Sequence, residues 1–545
     1  LRNVLAPPET RLFLNGKILT MDSENRIAEA VVVRDGRIIA VGTSEGAKKW
    51  IDDDSVVLDL NGKTMMPGII DAHGHFPGTG LYAFAVDLNS PPIGKISNIS
   101  QIIEALSEKA AHTDKGDWIL GLGYDDTLLS EQRHPTREDL DQASTEHAIV
   151  ILHISGHLGV ANSLALRIAG ITSETESPEG AVIRKDPVTG EPTGILEECA
   201  IEIFTPLLDF SILDMLKTIR RASNDCLRAG MTTTQDGLAD GKRVENLALA
   251  TRIGIIPLRV VVWPDEALGM KIVRGEFDPE KYNSDKFQVG AVKLLGDGST
   301  QGFTAYLREP YHTQFKGDAD YRGYPRIERE KLVEKVKTFH RAGLQIAVHS
   351  NGDAAIDNFI YAFRQAQQEY HRQDARPIVV HGQMMRAEHL DAIKELGMTP
   401  TYHLVHPFYW GDRHWNIFLG PERASGIYPA KSTLDRGIPF SIHLDAPVVP
   451  LQPMLLVWSA VNRLSRSERV IGPDERIAPI QALRAITIDA AWQIFQENDL
   501  GSIEVGKYAD LIVLSGDPLG DPHEIRNIQV EKTIIGGKTA YEREH

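Results

Sequence analysis

Two cysteines, Cys199 and Cys226, are all that 545 residues contain, so neither a disulfide framework nor a thiolate metal site can be built from this chain. Any ion it holds must be bound by His, carboxylate or Lys. Long apolar runs are missing too: no stretch approaches the roughly 18 apolar residues of a transmembrane helix, and the opening LRNVLAPPET has no apolar signal core. The chain begins on Leu rather than Met, so a removed upstream segment stays open and the compartment is undecided, with cytoplasm the default expectation. Basic residues are the minority, 58 against 75 acidic, and the net charge of −17 disfavours nucleic acid and anionic membrane partners, whose phosphates would be repelled. A small molecule is the expected partner, with self-association open. Internal repeats and low-complexity segments are also lacking.

What is present is an ordinary globular composition, 42% hydrophobic and 24% charged, at a length that suggests two domains plus an insertion. Short β-rich runs broken at Asn-Gly and Asp-Gly fill the N-terminal stretch, RLFLNGKILTMD and AEAVVVRDGRIIAVG among them. Those dipeptides favour tight hairpins. GSIEVGKYADLIVL and IQVEKTIIGGKTAY repeat the style near the other end. The two ends predict one β-sandwich composed of residues 11–66 and 498–543.

Between them, four helix-like segments end on glycine and lead into an apolar run: RAG at 228–230, RAG at 341–343, ELG at 395–397 and DRG at 435–437. Glycine closes a helix in the left-handed conformation, and alternating helices and strands imply a parallel sheet. Eight candidate strands, near 69–75, 231–236, 257–263, 289–295, 344–350, 377–382, 398–403 and 438–445, predict an α/β fold, a (β/α)8 TIM barrel over 67–497. The gap after the first strand is far longer than a βα unit needs, which places an inserted subdomain at 79–210. Within it HPTREDLD offers an approximate capping box, Thr136 with Asp139, and AVIRKDPVTGEPTGIL reads as a hairpin.

Several of these strands stop on a metal-ligand type: GIIDAHGH, LQIAVH, PIVVHG and IPFSIHLD. Catalytic groups of such a barrel sit at the C-terminal ends of its strands. His73 and His75, two apart on a predicted strand, leave the same face. His349 and His381 end successive strands, and Asp445 ends the eighth. His443 shares the parity of Asp445 and reads as a supporting or core residue rather than a ligand. Lys293 alternates onto the face of Val289, Ala291 and Leu295, and a buried lysine is costly unless paired or neutralised. A salt bridge to Asp297 is one solution. Reaction of the neutral amine with carbon dioxide, giving a carbamate that bridges two cations, is the other.

This constellation resembles the amidohydrolase superfamily, whose pattern is HxH on the first strand, a bridging lysine on the fourth, His on the fifth and sixth, and Asp on the eighth. His73, His75, Lys293, His349, His381 and Asp445 fill all six positions. The wording around them is similar to the amidohydrolase 3 branch, in PGIIDAHGH, HPTREDLD, GHLGVANSLAL, EPTGIL, KLLGDGS, HSNGDAAID, LDAP and GSIEVGKYADLIVL. One departure is HLD where members usually show Ser before the Asp. The resemblance implies a zinc-type centre of one or two divalent ions, with hydroxide attacking the carbonyl carbon of an amide, N-formyl or cyclic amide bond. Asp445 is then the natural proton carrier and catalytic residue.

His157 falls in a branch motif and is expected at the substrate, with His153 on the same face. Tyr402, His403, His406 and Trp410, in the stretch after the seventh strand, are expected to line the mouth. Two other readings stay open: a mononuclear deaminase-type hydrolase in which Lys293 only makes a salt bridge, and a non-catalytic regulatory protein on the same fold. Loss of ligands would mark the last, and none is lost.

Overall fold

The computed structural model describes residues 9–207 and 211–544. The N-terminal residues 1–8 and the last three positions of the expected insertion, 208–210, lie outside the described residues.

Parallel strands run in sequence order around the centre of the molecule. Phe287–Val289, Arg259–Pro264, Met231–Ala239 and Ile69–Ile70 form one four-stranded sheet. Val292–Leu295, Ile346–Ser350, Ile378–His381, Thr399–Tyr402 and Ser441–Ile442 form a second, of five strands. The expected closed barrel is thus corrected to two arcs of a barrel-like α/β core. One reason is local: the fourth predicted strand breaks between Val289 and Val292, around Gly290 and Ala291. At the other seam the first and last strands are only two residues long. Single bonds join the edges there, His75 N to the Ala446 carbonyl at 2.8 Å and Asp445 N to the His73 carbonyl at 3.2 Å.

Strand alternation sorts the core. Ile70, Ala72, Val261, Trp263, Ala291, Ala347, Ile378 and Val380 point inward and pack on Ala490, Ala491 and Ile494, which plug one end. Val260, Val262, Val348 and Val379, one position out of phase, face the surrounding helices. Those helices end as the sequence implies: Gly230 and Gly343 sit at φ 82° and 83°, a conformation a side chain resists.

A six-stranded sheet of 86–197 stands apart from the arcs, ordered Val182–Lys185, Pro192–Glu197, Leu158–Ala161, Ala148–His153, Trp118–Tyr124, Val86–Asp87. Its two faces carry their own apolar clusters, around Ile149 and Ile151 on one side and Ala148 and Val150 on the other. The hairpin and the reciprocal Thr136–Asp139 capping box both form here.

Strands from both ends of the chain share another sheet, in which Leu511–Leu514 pairs antiparallel with Thr64–Pro67 and with Val530–Ile535. A cluster including Phe13, Ile18, Met65, Leu511 and Ile534 fills the space between that sheet and the one holding Thr10–Leu14. No described helix is long and apolar enough to cross a membrane.

Candidate metal centre

The first strand ends at Ile70, so His73 and His75 do not lie on it as expected but on an irregular extension. The extension is nevertheless fixed, because Asp71 N donates to the Thr233 carbonyl (3.0 Å), Phe76 N to the Gln235 carbonyl (3.0 Å) and Gly237 N to the Gly74 carbonyl (2.7 Å). His73 is buried and stacks on Trp263 at 5.2 Å between ring centroids. His75 is partly exposed and leans on the cavity side.

His381 and Asp445 depart from regular strand geometry. Alternation would send His381 outward with Val379, but its φ of 70° turns the side chain in, and Asp445 has φ 56°. Non-glycine residues in the left-handed region cost energy, and such positions cluster at functional sites.

The six candidate ligands line one cavity of about 310 Å³. The Asp445 Oδ1 atom stands 3.6 Å from His73 Nε2 and 3.4 Å from His75 Nε2, and its other oxygen is 3.9 Å from His381 Nε2. The rings of His349 and His381 are 4.5 Å apart. Lys293 is buried among them, with Nζ 3.1 Å from His73 Nε2.

Electrostatics suit ligands. Burial pushes the pKa of His73, His349 and His381 well below the ordinary histidine value, leaving neutral imidazoles, the form that binds metal. Burial alone would raise Asp445, but His75, the partly exposed imidazole beside it, leads the opposing groups, and the carboxyl is held well below the usual range. Burial lowers Lys293 to about 7 against the opposing field of Asp445.

The residues present fit a divalent ion. Asp445 Oδ1 is buried without a hydrogen-bond partner, and one donor atom from each of His73, His75 and Asp445 falls within 4.8 Å of the others. His381, His403, His443 and Asp445 form a second such group. A buried anionic oxygen left unpaired costs several kcal/mol, and a cation removes that cost.

Supporting residues escaped the sequence reading. Gln235 Oε1 meets His73 Nδ1 at 3.1 Å. Asp297, read as a candidate partner for Lys293, is instead 3.1 Å from His349 Nδ1 and accepts from the amides of Asn351, Gly352 and Tyr306. The reason is chain direction: past Leu295 the backbone turns, so Asp297 lies behind His349. His443, expected to support rather than ligate, has its Nε2 3.1 Å from His381 Nδ1 and its Nδ1 2.9 Å from Thr401 Oγ1. Removing such an orienting partner typically weakens metal binding 10- to 100-fold. Asp297→Asn is accordingly expected to lose about that much divalent-ion affinity in a chelator competition, and unchanged affinity would show that His349 needs no orientation.

The expected substrate contacts divide. His157 lines the cavity, its ring 4.8 Å from that of His349 and its Nδ1 2.8 Å from Glu198 Oε2. His153 also lines it, but both ring nitrogens are engaged, with Ser155 at 2.8 Å and Asp126 at 3.1 Å. His403 points into the core beside His443, rings stacked at 5.2 Å. Tyr402, His406 and Trp410 need correction: all three are buried and none lines the cavity. Tyr402 is out of phase with the inward Thr401 and bonds Thr433 at 2.7 Å among the outer helices. The other two sit in a helix, His406–Arg413, not a rim loop, and their rings pack on each other at 4.5 Å. Glu198 and Arg326, 3.1 Å apart on the cavity wall, carried no distinguishing signal in the sequence.

Relatives of this chain are found over nearly its whole length. An N-substituted formamide deformylase from Arthrobacter pascens is 28% identical over 98% of this chain and 98% of its own length. Two solved structures, both of uncharacterized metal-dependent hydrolases, superpose over 94% of the chain: one from Pyrococcus horikoshii at TM-score 0.75 and 24% identity, covering 99% of that protein, and one from Pyrococcus furiosus at 0.72 and 25%, covering all of it. The pattern of the amidohydrolase family matches residues 56–541, and the chain belongs to that family of metal-dependent hydrolases.

Proposed function

We propose that this protein hydrolyses the carbonyl carbon–nitrogen bond of an amide, N-formyl or cyclic amide substrate at the cavity held by His73, His75, Lys293, His349, His381 and Asp445. The observation that carries the reading is the convergence of those six side chains on one cavity, where the buried Asp445 Oδ1 makes no hydrogen bond. Zinc suits four imidazoles and a carboxylate with no thiolate, at one or two ions per chain. Bound there, a divalent ion lowers the pKa of water to about 7 and polarises the carbonyl. Asp445, ionised and aimed between His73 and His75, is placed to hold a proton taken from water and return it to the leaving nitrogen. Lys293, as a carbamate, would add a second anionic arm and suit a two-ion centre. His157, held by Glu198, presents its other ring nitrogen to the substrate's polar end. The relative named a formamide deformylase supports the C–N assignment.

The finer organisation belongs to the same proposal. Residues 11–66 and 498–543 form one composite sandwich, which the pairing of Leu511–Leu514 with Thr64–Pro67 supports. The segment 79–210 is an insertion that leaves beside His75 and walls one side of the cavity through His153, Ser155 and His157.

The purified chain is expected to carry one or two divalent ions, to lose turnover of N-formyl and N-acyl compounds on exhaustive chelation, and to regain it with Zn2+. Full activity without metal, or a metal-loaded protein that hydrolyses no member of such a panel, would sink the proposal.

A further inference from the structure

A second, larger cavity of about 510 Å³ lies beside the metal cavity, and the two share three lining residues: Tyr82, Pro447 and Val448. These side chains are a partition, metal centre on one side and an open polar groove on the other, where Asp87, Arg221, Asp225 and Arg228 line the wall.

Tyr82 is pinned at both ends. Its hydroxyl accepts from Asn89 Nδ2 at 2.9 Å, and Asn89 Nδ2 also donates to Asp87 at 2.7 Å. Its carbonyl accepts from Arg221 at 3.1 Å. Two residues earlier, Gly80 lies so close to the helix Ile212–Arg228 that a Cβ there would collide with the Thr218 carbonyl. The segment carrying the ring therefore has no room to swing into the helix.

On the metal side the wall is mainly apolar, with Leu122, Leu152, Ile154, Ile201, Leu238 and Val448. Arg326 is the sole guanidinium in that lining, and its charge is spent on Glu198 at 3.1 Å and Glu202 at 3.5 Å. Away from the metal-binding residues, a substrate carboxylate would find no free cation of the wall to meet it, and burying it unpaired is costly.

We propose that Tyr82 is a specificity-determining residue that caps the length of an uncharged, apolar substituent on the scissile amide. The inference rests on the amide-hydrolase reading above and adds the substrate's shape and charge. The substituent occupies the apolar half of the cavity and ends against the Tyr82 ring, so a longer chain has to displace a pinned side chain or stay outside.

A homologous series of N-alkylformamides tests it on the metal-loaded full chain. Specificity, kcat/KM, is expected to climb about fourfold for each methylene that fits and to fall by about tenfold or more at the first that does not. Tyr82→Ala, which joins the two cavities, should move that break to longer chains. Tyr82→Phe, which keeps the ring, should leave it in place. Val448→Ala opens the same partition from the opposite side and serves if Tyr82→Ala fails to fold or retain metal. Formamides ending in a carboxylate should be poor substrates at every length. Calorimetric binding of the same series reads the cap without turnover: capped binding with no hydrolysis would defeat the amide-hydrolase reading and leave the cap standing. A break unmoved by both Tyr82→Ala and Val448→Ala, or a preference for carboxylate-ended chains, would overturn the inference.

Discussion

Asp445→Asn should reduce turnover by at least about 10²-fold, the scale of losing a general base. The substitution preserves volume and leaves an amide oxygen where Oδ1 now stands 3.6 and 3.4 Å from His73 and His75. What it removes is the anion that can accept a proton. Metal content and activity are therefore expected to separate: the variant should keep much of its ion while losing catalysis, and a plot of kcat against pH should lose the limb set by the base. Normal turnover with the ion retained would move the proton carrier elsewhere, with His157 the next group along the cavity wall.

Lys293→Ala should be nearly as damaging, again by about 10²-fold or more if the carbamate serves the transition state. Lys293 is buried beside His73 and the ring of Trp263, and burial holds its amine near pKa 7. A neutral amine attacks carbon dioxide, a nitrogen–carbon bond forms, one proton leaves the nitrogen, and the product is an anion on a long arm. Alanine leaves space where that anion stood, so acetate or formate should restore part of the activity. Rescue together with two ions per wild-type chain fits the bridging role. A single ion, no rescue and an unmodified lysine in a metal-loaded crystal would favour the mononuclear deaminase-type reading.

The strands were legible because each is an apolar run, and four of the eight follow a segment that reads as a glycine-closed helix. Seven of the eight predicted segments hold one strand, and the remaining one, the fourth, is split where Gly290 interrupts it. The ligand types were legible for the same reason. Their orientation was not: nothing near His381 or Asp445 announces a left-handed backbone, and the groups that meet these residues there, His443 at one and the His73 carbonyl at the other, come from elsewhere in the chain. Tyr402, His406 and Trp410 misled for a related reason. Aromatic and histidine side chains serve a rim and a core equally well, and only the phase of Thr401 against Tyr402 and the helix His406–Arg413 decide between them. Glu198, which secures His157, stayed silent because its partner is brought to it by sheet pairing, Leu158 beside Glu197, rather than by sequence proximity.

The strand Leu511–Leu514, seated between Thr64–Pro67 and Val530–Ile535, has a consequence for how the protein is made. As the chain leaves the ribosome, Thr64–Pro67 emerges with one edge lacking its partner, and at bacterial to eukaryotic rates of elongation that partner is on the order of a minute away. For that interval the nascent chain carries an open strand edge, a template for pairing with neighbouring polypeptides. A chain cut short before Leu511 would be one in which the sheet holding Thr64–Pro67 can never be completed.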